Sequence, residues 1–162
     1  MPIDITRLQT TQWLLERQVA WIAAADAKVA VVVAIDAAIV AALATAFAGA
    51  KSPVAWAVAL SLTASVLMIV AMGCAAVSLL PRTSGPQTSL LYFGTVACIQ
   101  APDYVAALER ATNDELQRDW ATQVHRNAEI AARKHLWVRR SVAWSFLAAL
   151  PWSFAIALLV KP

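Results

Sequence analysis

The chain has little of what most enzymes need. It has four glycines, Gly49, Gly73, Gly85 and Gly94, and their spacing forms no phosphate-binding loop. Its two cysteines, Cys74 and Cys98, fall in an apolar run and a polar segment, so no disulfide is expected, and no metal-ligand spacing occurs. His125 and His135 accompany neither a nucleophile nor a metal pattern. Adjacent carboxylates occur only as Asp114–Glu115, which read as solvated helix surface. Nothing repeats at a fixed period and no segment is of low complexity. A polar segment precedes the first apolar run, so no cleavable signal peptide is expected. Catalysis, a metal centre and a resident cofactor are therefore not expected.

What the chain has is apolar length. Of its 162 residues 60% are hydrophobic and only 14% charged, with a mean hydropathy of +0.63. Three apolar runs cover residues 29–50, 54–80 and 141–160. At roughly 1.5 Å per residue, about 20 helical residues cross a hydrocarbon core of roughly 30 Å. Across these runs the only acidic or basic residue is Asp36. In water such helices would leave large exposed apolar patches. The expected fold is all-α: an integral membrane protein with three transmembrane helices and a small cytosolic helical bundle, its long helices continuing from cytosol into membrane. Its parts would be a cytosolic N-terminal helix (1–28), a transmembrane hairpin (29–80), a cytosolic helical region (81–140), and a third span with the C-terminus (141–162).

Charge placement sets the expected orientation. Arg7, Arg17 and Lys28 precede the first run, and Arg82, Arg110, Arg118, Arg126, Arg133, Lys134, Arg139 and Arg140 lie between the second and third. The other side receives Lys51 and Lys161. Basic flanks stay cytosolic, which puts the N-terminus inside and the C-terminus outside. The net charge of +3 comes mainly from these flanks, so contact with anionic membrane lipid accounts for it and no nucleic-acid partner is expected.

Asp4 or Thr6 can cap a first helix that meets no breaker from Ile5 to Gly49. Its 4–3 stripe reads Leu8, Gln12, Leu15, Val19, Ile22, Asp26, Val29, Val33, Asp36, Val40, Leu43 and Phe47. Gly49–Ala50–Lys51–Ser52–Pro53 forms a tight turn to the second span. Pro81, Gly85 and Pro86 mark a loop, and Gly94 is expected to end a short helix or turn. Asp103 then serves as N-cap of a helix with no Pro or Gly before Pro151, which should kink the third span. Trp56, Trp137 and Trp144 suit an aromatic belt.

Few residues offer chemistry. Asp119, Gln123, Asn127, Ile130, Lys134 and Trp137 share one helix face, supplying amide groups for a base edge and a cation for a phosphodiester. The same stripe also fits a solvated face or an interhelical polar seam. Asp26 can pair with Lys134 or Arg133, or accept a hydrogen bond from a ligand's ribose. Tyr92 and Phe93 can stack on a base or pack as loop residues. Asp36 must face protein, water or a polar partner. It reads as a protonated acid bonded to a serine, as one of a ring of acids around an oligomeric pore, or as a proton-coupling site.

Three pieces resemble the transmembrane effectors of Pycsar, the pyrimidine cyclase system for antiphage resistance. The stretch Trp21–Ile22–Ala23–Ala24–Ala25–Asp26–Ala27–Lys28–Val29 is similar to that family's Ala-Asp-x-Lys approach to the first span. Ser89–Leu90–Leu91–Tyr92–Phe93–Gly94 resembles its mid-chain apolar motif. The run from Gln123 through Asn127, Ile130 and Ala131 to Lys134 resembles its Gln-x-x-x-Asn-x-x-Ile-Ala-x-x-Lys helix. The resemblance implies an effector activated by a cyclic pyrimidine mononucleotide, cyclic UMP or cyclic CMP, made by a partner pyrimidine nucleotide cyclase. It implies impairment of the bacterial inner membrane and abortive infection. Ligand contacts would fall on Asp26, Lys28, Tyr92, Phe93, Gln123, Asn127 and Lys134; Asp36, from its place in the first span and not from the resemblance, is the expected intramembrane or pore residue. A homo-oligomer is expected, because three Ala-rich spans form no pore alone and Ala38/Ala42/Ala46 offer a small packing face. The alternatives without a nucleotide are a small transporter or channel accessory and a membrane scaffold.

Overall fold

The computed structural model describes residues 5–81 and 85–160; the expected cap Asp4 and the charges Arg82 and Lys161 lie outside them. Five helices follow in order: α1 (Ile5–Gly49), α2 (Ala55–Leu79), α3 (Phe93–Val96), α4 (Ala101–Arg110) and α5 (Asn113–Leu159). No strand occurs among the described residues. α1, α2 and α5 are each long and apolar enough to cross a membrane. The chain forms two compact units, residues 1–24 with 81–133, and residues 25–80 with 134–162. α1 and α5 each contribute to both. The unit boundaries fall a few residues before the apolar runs begin, at 24/25 and 133/134 rather than 28/29 and 140/141.

The span unit reverses the usual arrangement of a water-soluble core. Its large side chains face outward, with Phe146 75%, Ile69 69% and Leu62 63% exposed. Its buried line on α2 is small except at Met68: Ala57, Ser61, Ala64, Met68, Ala71, Ala75 and Ser78. These steps alternate four and three residues, the 3.5-residue period that keeps one seam facing a partner. α5 answers in the same register with Val138, Ser141, Ala148, Ala155 and Leu159 buried. Lipid gives no hydrophobic drive for helix association, so small residues that let backbones approach, and hydroxyls that bridge them, hold the unit. The Ser141 hydroxyl donates to the Ala71 carbonyl at 2.8 Å, the Ser78 hydroxyl to the Lys134 carbonyl at 3.4 Å, and the Trp152 indole N–H to the Ile39 carbonyl at 3.2 Å.

The structure corrects several sequence expectations. Thr6 does not cap α1, because the helix already includes Ile5. The 4–3 stripe of α1 holds at Val29, Asp36 and Leu43, which are buried, but Val19 is 52%, Val40 40% and Phe47 39% exposed. Half-buried Gln18, Ile39 and Ala46 take those places, so the seam keeps the seven-residue repeat through Ile22, Val29, Asp36 and Leu43 but its intermediate positions fall one residue earlier than the stripe placed them. Gly94 lies inside α3 rather than ending it. Asp103 is not the cap of a helix running to Pro151. Gln100 is the N-cap of α4, Asp103 sits in its first turn, and α4 ends at Arg110 with Ala111 extended. α5 starts afresh at Asn113 and continues through Pro151.

The break at Ala111–Thr112 has a local cause. Thr112–Asn113–Asp114–Glu115 is a capping box: the Thr112 backbone N–H and hydroxyl both donate to the Glu115 carboxylate at 2.8 Å, and the Glu115 N–H returns to the Thr112 hydroxyl at 3.3 Å. Those two bonds from Thr112, backbone first, hold the Glu115 carboxyl below its ordinary range, aided by the charge of Arg118. The lowered value means that the carboxylate stabilises the fold above its unfolded pKa, and that this contribution fades as pH falls through the folded value. Replacing Thr112 with Ala should cost about 1 kcal/mol. In thermal melts the deficit of Glu115→Gln should shrink as pH drops below the ordinary carboxylate range; a deficit independent of pH would remove the ionised cap from the account.

Candidate functional site

In the polar unit, the apolar motif is pinned to α4 and α5. The Ser89 side chain is buried, and its oxygen accepts the backbone N–H groups of Leu91 at 3.1 Å and Tyr92 at 2.8 Å. A serine closing a local turn in this way substitutes for missing backbone pairing. The Gln123 side-chain amide, also buried, donates to the same Ser89 oxygen at 3.0 Å. Four residues earlier on α5, the Asp119 carboxylate accepts the Leu90 N–H at 2.8 Å, while the Tyr104 hydroxyl of α4 donates to the Leu90 carbonyl at 3.0 Å. The polar face of α5 is, at these positions, the clamp for residues 89–92.

The two aromatics differ in their setting. The Tyr92 ring lies against two glycines: a methyl on Gly85 would come within 2.5 Å of it, and one on Gly94 within 2.6 Å. Phe93 packs tilted on that ring, with centroids 4.9 Å apart, yet remains 67% exposed. Asn127 is half-buried and makes no side-chain hydrogen bond among the described residues. Further along, the Arg126 guanidinium donates to Glu129 at 2.8 Å, and this bond first, with the nearby charges of His125, Arg126 and Arg133, holds the Glu129 carboxyl below its ordinary range.

Asp26, Lys134 and Asp36 belong to the span unit. Lys134, only 8% exposed, donates from Nζ to Asp26 at 2.5 Å, so Lys134 rather than Arg133 is the partner. Lys28 is exposed. Asp36 is fully buried between α1 and α5, where the Ser145 hydroxyl donates to its Oδ2 at 2.9 Å and its Oδ1 has no partner among the described residues. A shallow apolar pocket of about 170 Å³ lies there, lined by Val32, Ile35 and Phe146 among others. The eight expected positions thus divide: Tyr92, Phe93, Gln123 and Asn127 in one unit, and Asp26, Lys28, Asp36 and Lys134 in the other. Sequence reasoning passed over Ser89 and Tyr104 as partners, and offered Ser145 only as one of several span serines within reach of Asp36. The i, i+4 pair Asp119/Gln123 was visible, but nothing in the sequence tied it to Ser89.

An inside-out helical unit with apolar spans, attached to a polar helical unit, defines a multi-span membrane protein that carries its own soluble-type module. The chain belongs to the Pycsar effector family: the family model described as the Pycsar effector protein domain matches residues 10–161. It is 33% identical over 148 residues to the Pycsar effector protein PtPycTM of Propioniciclava tarda, an alignment covering 86% of this chain and 73% of that one. No solved structure matches it. Membership makes the protein an antiphage membrane effector.

The Asp26–Lys134 pair gives a direct test of packing. Asp26 keeps 39% of its side-chain surface exposed and Lys134 11%, which places the pair between surface and buried ion pairs in strength. Removing one partner should cost about 1–3 kcal/mol. In a double-mutant cycle of Lys134→Ala and Asp26→Asn, melting in detergent should show the two losses to be strongly non-additive; simple additivity would mean that the contact contributes nothing.

Proposed function

We propose that this effector is switched on by a cyclic pyrimidine mononucleotide, cyclic UMP or cyclic CMP, supplied by a partner nucleotide cyclase, and that the activated protein impairs the bacterial inner membrane and halts the infected cell. The observation that carries this reading is a family match that runs through both units rather than through the spans alone. The geometry is consistent with a switch: the span seam rests on alanine contacts and single hydroxyl–carbonyl bonds, which average about 0.6 kcal/mol each in membranes, so modest ligand energy can shift its packing or its pairing with other copies. Exposed Ala38 and Ala42 on α1, outside that seam, offer a small face on which a homo-oligomer can pack. Catalysis has no part in the proposal.

Expression with a cyclase that makes the matching nucleotide should arrest growth and collapse the membrane potential, and expression alone should do neither. Arrest that ignores the nucleotide, or no arrest with either one, would sink the reading and favour a channel accessory or scaffold. Asp36→Asn keeps an oxygen for Ser145, so arrest should survive if Asp36 only packs α1 to α5. Loss of potential collapse in a folded Asp36→Asn protein would instead put the carboxylate on the leak path.

The orientation proposed is N-terminus inside and C-terminus outside, from the basic flanks. With the native cysteines replaced, a maleimide that does not cross membranes should label Lys51→Cys on intact cells and spare Arg110→Cys. The reverse pattern would invert the topology.

A further inference from the structure

The polar unit contains a groove of about 640 Å³ between α4, the first turns of α5 and the segment around Ser89. That volume lies within the roughly 300–1,000 Å³ of small-molecule sites. None of the eight expected site residues lines it. Its apolar surface includes Leu90, Ala107 and Ala111, and Arg110 and Arg118 bring two guanidinium groups to it. Two carboxylates also line the groove, but both are already engaged: Asp119 by the Leu90 N–H and Glu115 by Thr112. The arginines are engaged less fully, although the charge of Arg118 acts on Glu115. Arg110 donates only its Nε, to the Ala106 carbonyl at 2.9 Å, and neither arginine forms an ion pair among the described residues. Thr88 and Thr122 add hydroxyls to the lining.

We infer that this groove, and not the Gln123–Lys134 face, is where the effector takes its ligand, a nucleoside cyclic monophosphate. The inference rests on the nucleotide-activated reading above. A cyclic phosphodiester carries one negative charge on two free oxygens, which matches a guanidinium fork, and the unpaired arginines hold the fork groups ready. The flat base lies on the Leu90 and alanine surface; the Thr88 hydroxyl serves as donor or acceptor to a pyrimidine edge or a ribose hydroxyl, and the Thr122 hydroxyl, whose proton goes to the Arg118 carbonyl at 2.8 Å, serves as an acceptor. The Gln123 amide is committed to Ser89 and the Lys134 ammonium to Asp26, so neither is available without breaking a contact of the fold.

The groove also has a route to a response. Its walls are the segment that Asp119 pins and the first turns of α5, so a ligand seated there bears on the clamp at Leu90 and on the capping box together. An anionic lipid headgroup shares the phosphate chemistry, so binding is measured in neutral lipid first. The 162-residue chain in phosphatidylcholine nanodiscs is titrated calorimetrically with cyclic UMP and cyclic CMP, then again with phosphatidylglycerol added. Wild type should bind one nucleotide. Arg110→Gln and Arg118→Gln should each weaken binding about tenfold or more, the loss of one charge-assisted contact. Lys51→Gln, on the turn between α1 and α2, should bind as wild type does.

A second measurement does not depend on those variants folding. In a protein without native cysteines, Ala111→Cys should react with maleimide, and the bound nucleotide should slow that reaction severalfold. If wild type binds but Arg110→Gln and Arg118→Gln bind equally well, or if Ala111→Cys is unprotected, the groove is the wrong site and the nucleotide reading stands. Wild type that binds neither nucleotide in neutral lipid overturns the reading itself. Nucleotide binding that survives added phosphatidylglycerol supports the groove, whereas binding that phosphatidylglycerol abolishes would assign the arginines to the lipid headgroup.

Discussion

The span unit depends on one constraint: in lipid its helices have no hydrophobic reason to touch. What brings α1, α2 and α5 together is the absence of bulk on their facing sides. Ala57 and Ala64 on α2 pack with Leu43 of α1 and Ala155 of α5, and Ala75 packs with Ala25 of α1 and Val138 of α5, all buried. Leu62, Ile69 and Phe146 meanwhile point outward. Once backbones are close, a serine or tryptophan can reach a neighbouring carbonyl, as Ser141 and Trp152 do, at a point where each unmatched polar group would otherwise face hydrocarbon.

The polar unit is held by the opposite means. It has few large buried apolar side chains, and its order comes from hydrogen bonds that converge on residues 89–92. Ser89 receives three donors, and the backbone of Leu90 is fixed at both ends by side chains from different helices. Glycine matters here for space rather than backbone freedom, because no described residue has positive φ. Gly85 and Gly94 leave room for the Tyr92 ring, which a methyl group at either position would strike.

The spans, the turn at Gly49–Pro53 and the continuity of α1 were legible from length and apolar runs, because those signals are additive along the chain. The start of α5 was not. Composition around Asp103 looked helical on both sides of Thr112, and the break is carried by a four-residue box whose effect is local and geometric. Serine-bonded burial of Asp36 was one of three readings, and only the meeting of α1 with α5 identifies Ser145 as the partner. The polar stripe on α5 showed an alignment of amides and charges without showing which were already spoken for. A periodic pattern reports which residues share a face and says nothing of what occupies it.

Ser89 and Gln123 sit 34 positions apart in the chain, yet one bond joins them in a buried setting. Losing either alone strands a polar group away from water, whereas losing both in favour of matched apolar groups can be nearly neutral. Drift at one position is therefore conditional on the other, and each single step lies in a fitness valley. Sequences descended from a common ancestor would tend to keep the pair or to exchange it whole. The two segments that look like separate signatures of the family would then be inherited as a single character.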